Sequence, residues 1–277
     1  MGAAAMTAVD KPLAGKRIVL TRAPEQAPPL FRVLNDAGAS VILFPCIEFV
    51  SPEDYGPLDA ALSHLGDFDW IAFTSQNAVR FFRQRQRQLD SMRSAPVTGH
   101  AKIAALGATT ADAATKEELP PDFVASGARS GSAFVAEFAP LARGLKVLLP
   151  QSDQAGDRIA AALREAGVII TPVVAYQTCV PQSLDDDALA RIRSDGADLI
   201  FFGSPSAFRN FAETVGKETL THLAKHSAFG AIGPTTAAAI RDASVPVQFE
   251  SPEPNATSIV KAMQGYFAER DRGKVHQ

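Results

Sequence analysis

Phe73-Thr74-Ser75-Gln76-Asn77-Ala78-Val79 and, 129 positions later, Phe202-Gly203-Ser204-Pro205-Ser206-Ala207-Phe208 follow one plan. In each, a continuous apolar run (Trp70–Thr74, WIAFT; Leu199–Gly203, LIFFG) ends in a small polar turn and passes into a segment of helical period. A short apolar run without alternation suits a strand covered on both faces. A serine at the turn suits the cap of the helix that follows. Strand, turn and helix in that order make the opening of a βαβ unit.

Further echoes surround this pair. Ala105-Leu106-Gly107-Ala108-Thr109-Thr110-Ala111 answers Ala231-Ile232-Gly233-Pro234-Thr235-Thr236-Ala237 at a spacing of 126, and Gly38 answers Gly167 at 129. Leu58-Asp59-x-Ala61-Leu62 has its counterpart in Leu184-Asp185-x-x-Ala188-Leu189. Correspondences in one order at nearly one spacing mean a tandem duplication.

The remaining apolar runs extend the pattern: Arg17–Thr21, Ser40–Phe49, Lys102–Leu106, Asp122–Ser126, Lys146–Pro150, Val168–Thr178, Phe229–Ile232 and Pro246–Ser251. Helical segments such as Pro29–Ala37, Leu58–Leu65, Ala78–Arg87, Arg158–Ala166, Phe208–Val215, Thr236–Asp242 and Ser258–Phe267 lie between them. The expected fold is α/β, with two doubly wound parallel-sheet lobes and the functional site in the cleft between them. A chain of 277 residues is comfortable as two domains of about 120 to 130 each. Two strands, Ser40–Val50 and Val168–Val180, are about twice the usual length and carry Pro45 and Pro172 inside them. Their equivalent places in the repeat suggest a paired hinge joining the lobes; an irregular edge strand is the other reading.

Composition bounds the function. With 46% apolar and 21% charged residues the chain is globular, and its net charge of −3 predicts no general attraction to nucleic acid. Cys46 and Cys179 cannot form a disulfide framework and read as small buried hydrophobes in a reduced setting. The Ala-rich start does not read as a secretory signal, and no run approaches the length of a membrane span. A soluble, cytoplasmic monomer is expected, without nucleic-acid or membrane partners.

In open parallel sheets the ligand crevice lies beyond the carboxyl ends of the strands. The residues expected there are Thr21 and Arg22; Thr74, Ser75, Gln76 and Asn77; Gly107, Thr109 and Thr110; and Ser126, Arg129, Ser130 and Gly131. The second half adds Gln151 and Ser152, Ser204 and Ser206, then Gly233, Thr235 and Thr236. Each hydroxyl taken singly reads as the cap of its own helix. Together, such junctions with their free N–H groups would hold a large polyanion at many points. Neither a P-loop nor a G-x-G-x-x-G after a strand is present, so nucleotide binding has no support. His64, His100, His222, His226 and His276 lack ligand spacing, and no metal is expected. Arg80–Arg93 reads as a solvated helix face and Asp185-Asp186-Asp187 as an acidic first turn. Tyr176 stands in the second proposed hinge strand, where packing is its default role and hydrogen-bond donation the functional one.

The segments RIVLTRA, FDWIAFTSQNAVRFF, ALGATTADA, VVAYQT, DLIFFGSPSAFRNF and AIGPTTAAAI together resemble the uroporphyrinogen-III synthase family, from about Leu13 to Phe267. The resemblance implies an enzyme that closes hydroxymethylbilane, a linear tetrapyrrole with eight carboxylates, into uroporphyrinogen III. The last ring is inverted, water is lost and no cofactor is used; the usual route runs through an azafulvene and a spiro-pyrrolenine. Tyr176 matches the family's hinge tyrosine, which implies a catalytic role in assisting departure of the hydroxyl. Thr21, Arg22, Thr74, Ser75, Asn77, Thr109, Thr110, Arg129, Ser130, Gly131, Ser152, Ser204, Ser206, Thr235 and Thr236 are the expected substrate contacts. A transient contact with the upstream hydroxymethylbilane synthase is expected as well.

The resemblance also assigns the lobes: 13–45 with 178–270, then 51–172, with 46–50 and 173–177 as a two-stranded antiparallel connector and flexible termini at 1–12 and 271–277. A non-catalytic two-lobed sensor or binding module shares these features. It is the rival reading, and a glycosyltransferase-like enzyme lacks its paired acidic metal site.

Overall fold

The computed structural model describes residues 11–92, 101–126 and 130–275. Along the chain run β1 (Arg17–Leu20), α1 (Pro28–Asp36), β2 (Ser40–Leu43), β3 (Glu48–Val50), α2 (Gly56–Ser63), β4 (Trp70–Phe73), α3 (Gln76–Ser91), β5 (Lys102–Ala105) and α4 (Ala108–Lys116). Then come β6 (Phe123–Val124), α5 (Gly131–Ala142), β7 (Lys146–Ser152), α6 (Arg158–Glu165), β8 (Ile169–Cys179), α7 (Asp186–Asp195) and β9 (Leu199–Phe202). The last elements are α8 (Pro205–Val215), α9 (Lys217–His226), β10 (Ala228–Ile232), α10 (Gly233–Asp242), β11 (Phe249–Ser251) and α11 (Ala256–Val275).

The chain divides into two units, one made of Met1–Glu48 with Cys179–Gln277 and the other of Phe49–Thr178. The first holds a parallel sheet ordered β11-β10-β9-β1-β2, and the second a sheet ordered β3-β8-β7-β4-β5-β6. Apart from β3 the two orders are the same topology: β2-β1-β9-β10-β11 matches β8-β7-β4-β5-β6. The duplication is therefore visible as architecture, with β1-α1-β2 standing where β7-α6-β8 stands. Gly38 and Gly167 make the same turn before β2 and β8, at φ +90° and +87°, a left-handed conformation that other residues rarely adopt. At the amino end of each sheet an aspartate repeats as well. Asp198 Oδ2 accepts the Arg17 N–H at 2.7 Å, and Asp69 Oδ2 accepts the Lys146 N–H at 2.8 Å.

The central strands β4 and β9 have every residue buried, because helices cover both faces. Leu13, Ile18, Leu20, Leu30, Leu34, Leu199, Phe201, Ile259, Met263 and Phe267 form one core of the first unit. In the second unit Phe73, Val79, Phe82, Ile71 and Leu148 fill one side of the sheet, and Trp70, Phe134, Phe138, Leu149 and Leu163 the other.

Three expectations need correction. Ser40–Phe49 is not one long strand: it breaks at Phe44–Ile47 into β2 and β3, and Pro45 has no N–H to extend a ladder. Phe44 and Cys46 still donate to Leu20 and Thr21 carbonyls at 2.9 and 3.2 Å. The pair expected as a separate connector lies in the second sheet, with β3 at its edge beside an unbroken β8. Pro172 is tolerated in β8, opposite Leu149 of β7. Finally, α11 continues to Val275 rather than giving way to a loose tail at 271, and Lys16 pairs with its Asp271 at 3.4 Å.

The arginine-rich stretch is a docking face rather than a solvated one. Arg85 makes two hydrogen bonds to Asp59 of α2, at 2.7 and 2.5 Å, and lies over the Tyr55 ring. Arg83 donates to the Glu117 carbonyl and to Glu118 at the end of α4, and Arg87 donates to Glu117. Arg93 lies outside the described residues.

Candidate functional site

In the first unit the carboxyl ends of β1, β9 and β10 carry the expected polar residues. Ser204 caps α8, its Oγ accepting the Ala207 N–H at 3.1 Å, and lies 3.3 Å from Ser206 Oγ. α10 has no side-chain cap, so Gly233, Pro234 and Thr235 open it with Thr235 exposed. Free N–H groups and the positive end of the helix dipole face outward there. Thr236 is buried, and Thr21 is fully buried with its hydroxyl donating to the Phe201 carbonyl at 2.9 Å. Thr21 thus serves the sheet, which corrects its expected place on the rim.

Arg22 is the charged residue of this rim. Its side chain lies over Gly203, where an added Cβ would come within 3.3 Å of Nε. Among the described residues it donates to the Pro254 carbonyl at 3.4 Å, and none of their ion pairs includes it. Burial pulls the guanidinium below its ordinary pKa. A half-buried cation without a counter-charge among the described residues suits an anionic ligand.

In the second unit four expected residues come together. Tyr176 is 6% exposed on β8, and its Oη lies 3.2 Å from Ser75 Oγ at the start of α3. Asn77 and Ser152 also act on the phenol. A bulge in the β7–β8 ladder brings this about: Gln151 pairs with Val174, but Ser152 pairs with Tyr176. Strict alternation would put Tyr176 on the exposed face of Val174; the extra residue, Ala175, turns it inward. Phe81 stacks on the ring at 5.5 Å and Phe49 meets it edge-on at 5.8 Å. Burial raises the phenol's pKa above the ordinary value, so it stays a neutral donor near pH 7.

Asp153, not foreseen, organises the rest. Its Oδ1 accepts from Ser152 Oγ at 2.9 Å and from the Thr178 N–H at 3.0 Å. A lone aspartate after a strand carries no signal in sequence without the bulge beside it.

The other expected residues divide. Ser130 caps α5, accepting the Ala133 N–H at 3.3 Å. Gly131 is needed for packing, since a Cβ there would come within 2.8 Å of the Ile159 side chain. α4, like α10, starts without a side-chain cap, with Thr109 exposed and Thr110 buried. Thr74 is half-buried at the end of β4. Arg129 lies outside the described residues.

A sequence profile described as uroporphyrinogen-III synthase HemD matches residues 29–261. The chain belongs to the uroporphyrinogen-III synthase family. It is 31% identical over 265 residues to the uroporphyrinogen-III synthase of Synechococcus elongatus, covering 92% of this chain and 97% of that one. It is 26% identical to that of Chlorobaculum parvum, over 90% and 98% of the two chains. Among solved structures it resembles a uroporphyrinogen III synthase mutant from Thermus thermophilus (TM-score 0.59, 18% identity, 92% of this chain and 100% of that one). The Helicobacter pylori enzyme is similar, with TM-score 0.58, 17% identity, and coverage of 89% and 97%. These two likenesses speak for the fold alone. As a uroporphyrinogen-III synthase the chain is an enzyme of tetrapyrrole biosynthesis, and its two-unit α/β fold is that of its structural relatives.

Proposed function

We propose that the chain closes hydroxymethylbilane to uroporphyrinogen III, with Tyr176 as the catalytic hydrogen-bond donor. The observation that carries this is a buried, neutral phenol held by Phe81, Phe49 and Ser75 at the end of β8. The reaction needs a hydroxyl to depart from the terminal methylene of the linear substrate. As the C–O bond breaks, the phenol O–H donates to the leaving oxygen, and the proton it gives is recovered when the closing ring loses one. A buried phenol resists ionising by itself, so its hydrogen is in place when the hydroxyl departs.

The remaining residues hold carboxylates. Arg22 supplies a charge-assisted contact, and the uncapped starts of α4 and α10, with Thr109 and Thr235, supply N–H groups and hydroxyls. Ser130 and Ser204 each spend one lone pair on capping, which leaves their hydroxyl hydrogens for other acceptors. Because the substrate closes unaided to the uninverted isomer, the protein's task is preference rather than force. About 3 kcal/mol of differential stabilisation gives better than a hundredfold selection.

The test is product identity. Purified protein given fresh hydroxymethylbilane is expected to yield the type III isomer. Type I alone, at the rate of the uncatalysed control, would leave a binding module as the reading.

A further inference from the structure

The hydrogen bonds around Tyr176 run in a definite direction. Asp153 can only accept, so the Ser152 hydroxyl hydrogen is committed to it at 2.9 Å. Ser152 Oγ in turn accepts the Gln154 N–H at 3.2 Å and contacts Thr178 Oγ1 at 3.2 Å. With its hydrogen given to Asp153, Ser152 takes the Thr178 hydrogen, and both of its lone pairs are then used. Ser152 therefore offers nothing to the phenol's hydrogen.

Ser75 stands on the other side. Its Oγ accepts the Ala78 N–H at 3.0 Å as the cap of α3. Among the described residues the one acceptor within reach of its own hydrogen is Tyr176 Oη, at 3.2 Å. The helix dipole favours this orientation, with oxygen toward the free N–H groups and hydrogen away from them.

We propose that Ser75 donates to Tyr176 Oη, so that the phenolic hydrogen is not spent on Ser75 and can meet the departing hydroxyl of the substrate. This rests on the proposed role of Tyr176 and adds to it. Ser75 is a positioning residue: it selects which of two rotors the phenol adopts. In the opposite arrangement, Tyr176 donating to Ser75, the hydrogen would be turned away from the substrate. The repeat confines the device to one unit, because Ser204 caps α8 in the same way but has Ser206 as its neighbour.

The two directions differ in sign. A donor to Oη favours the phenolate, so its removal raises the Tyr176 pKa; an acceptor favours the phenol, so its removal lowers it. The experiment follows the titration of Tyr176 by NMR in protein carrying ring-labelled tyrosine, assigned with Tyr176→Phe among the three tyrosines of the chain. Ser75→Gly removes the hydroxyl while glycine is still accepted at a cap, and Ser75→Thr keeps both functions. The expected result is a higher titration point in Ser75→Gly, kcat lower by about tenfold with KM unchanged, and recovery of both in Ser75→Thr. A lower or unmoved titration point overturns the proposal. The titration needs no turnover, so it is read even if the wild-type chain forms only the type I isomer, an outcome that strikes the proposed function instead.

Discussion

Asp198 accepts the backbone N–H of Arg17 at 2.7 Å across 181 positions of the chain, and it does at the amino end of one sheet what Asp69 does for Lys146 at the end of the other. Each lies at the amino end of its sheet, opposite the carboxyl-end rim. Asp198→Ala is expected to cost about 1–3 kcal/mol, since a half-buried N–H loses its charged acceptor. A urea midpoint that falls while kcat and KM stay unchanged is the outcome; loss of turnover in a fully folded variant would contradict it.

Tyr176→Phe separates chemistry from packing. The ring keeps its place against Phe81 and Phe49, and only the hydroxyl is lost. The formation of type III product is expected to slow by about a hundredfold with the melting temperature held. Unchanged turnover would return Tyr176 to a packing role.

The same phenol sets an alkaline limit to stability. Its folded-state pKa lies above its ordinary value because burial disfavours the phenolate. The folded chain therefore keeps this proton where the unfolded chain loses it. The contribution is complete below about pH 10 and disappears as pH rises through the raised value. Urea midpoints taken from about pH 8 to 11 should fall less steeply in Tyr176→Phe than in the wild type. Parallel profiles would show that burial does not hold the proton.

Arg22 is expected to trade stability for binding. In Arg22→Met a cation without a counter-charge is replaced by an apolar chain, so the urea midpoint should stay level or rise. KM for hydroxymethylbilane should rise by about tenfold or more, the loss of one charge-assisted contact. An unchanged KM would place Arg22 away from the substrate.

Gly230 tests the close packing of β10 on β11. A Cβ at this position would come within 2.2 Å of Phe249 Cζ. Gly230→Ala is expected to lose about 1–3 kcal/mol by overpacking, read as a lower denaturation midpoint. A neutral result would mean that Phe249 moves freely aside.

The duplication and the parallel strands were legible because burial on both faces leaves no choice but continuous apolar runs, as in WIAF and LIFF. The serine caps were legible too: Ser75, Ser130 and Ser204 each sit three residues before the N–H they accept. Three features escaped. The break at Phe44–Ile47 keeps strand-like bonding to β1, so composition alone reads it as strand. The bulge at Gln151/Ser152 depends on pairing with a strand from another part of the chain, and with it went the role of Asp153. The arginines of α3 looked solvated because their partners, Asp59, Glu117 and Glu118, are distant in sequence.

The shared topology also fixes an order of events during synthesis. Phe49–Thr178 is one uninterrupted stretch and has all the strands of its sheet once Thr178 has emerged. β1-α1-β2 is made first, yet β1 must wait for β9, and the core around Leu13, Leu30 and Leu34 for Ile259 and Phe267 of α11. A two-stranded fragment with one helix is too small to stand alone. β1-α1-β2 thus precedes the second unit in the chain and is secured after it, and a nascent chain halted before α11 would carry a finished second unit and an unprotected first one.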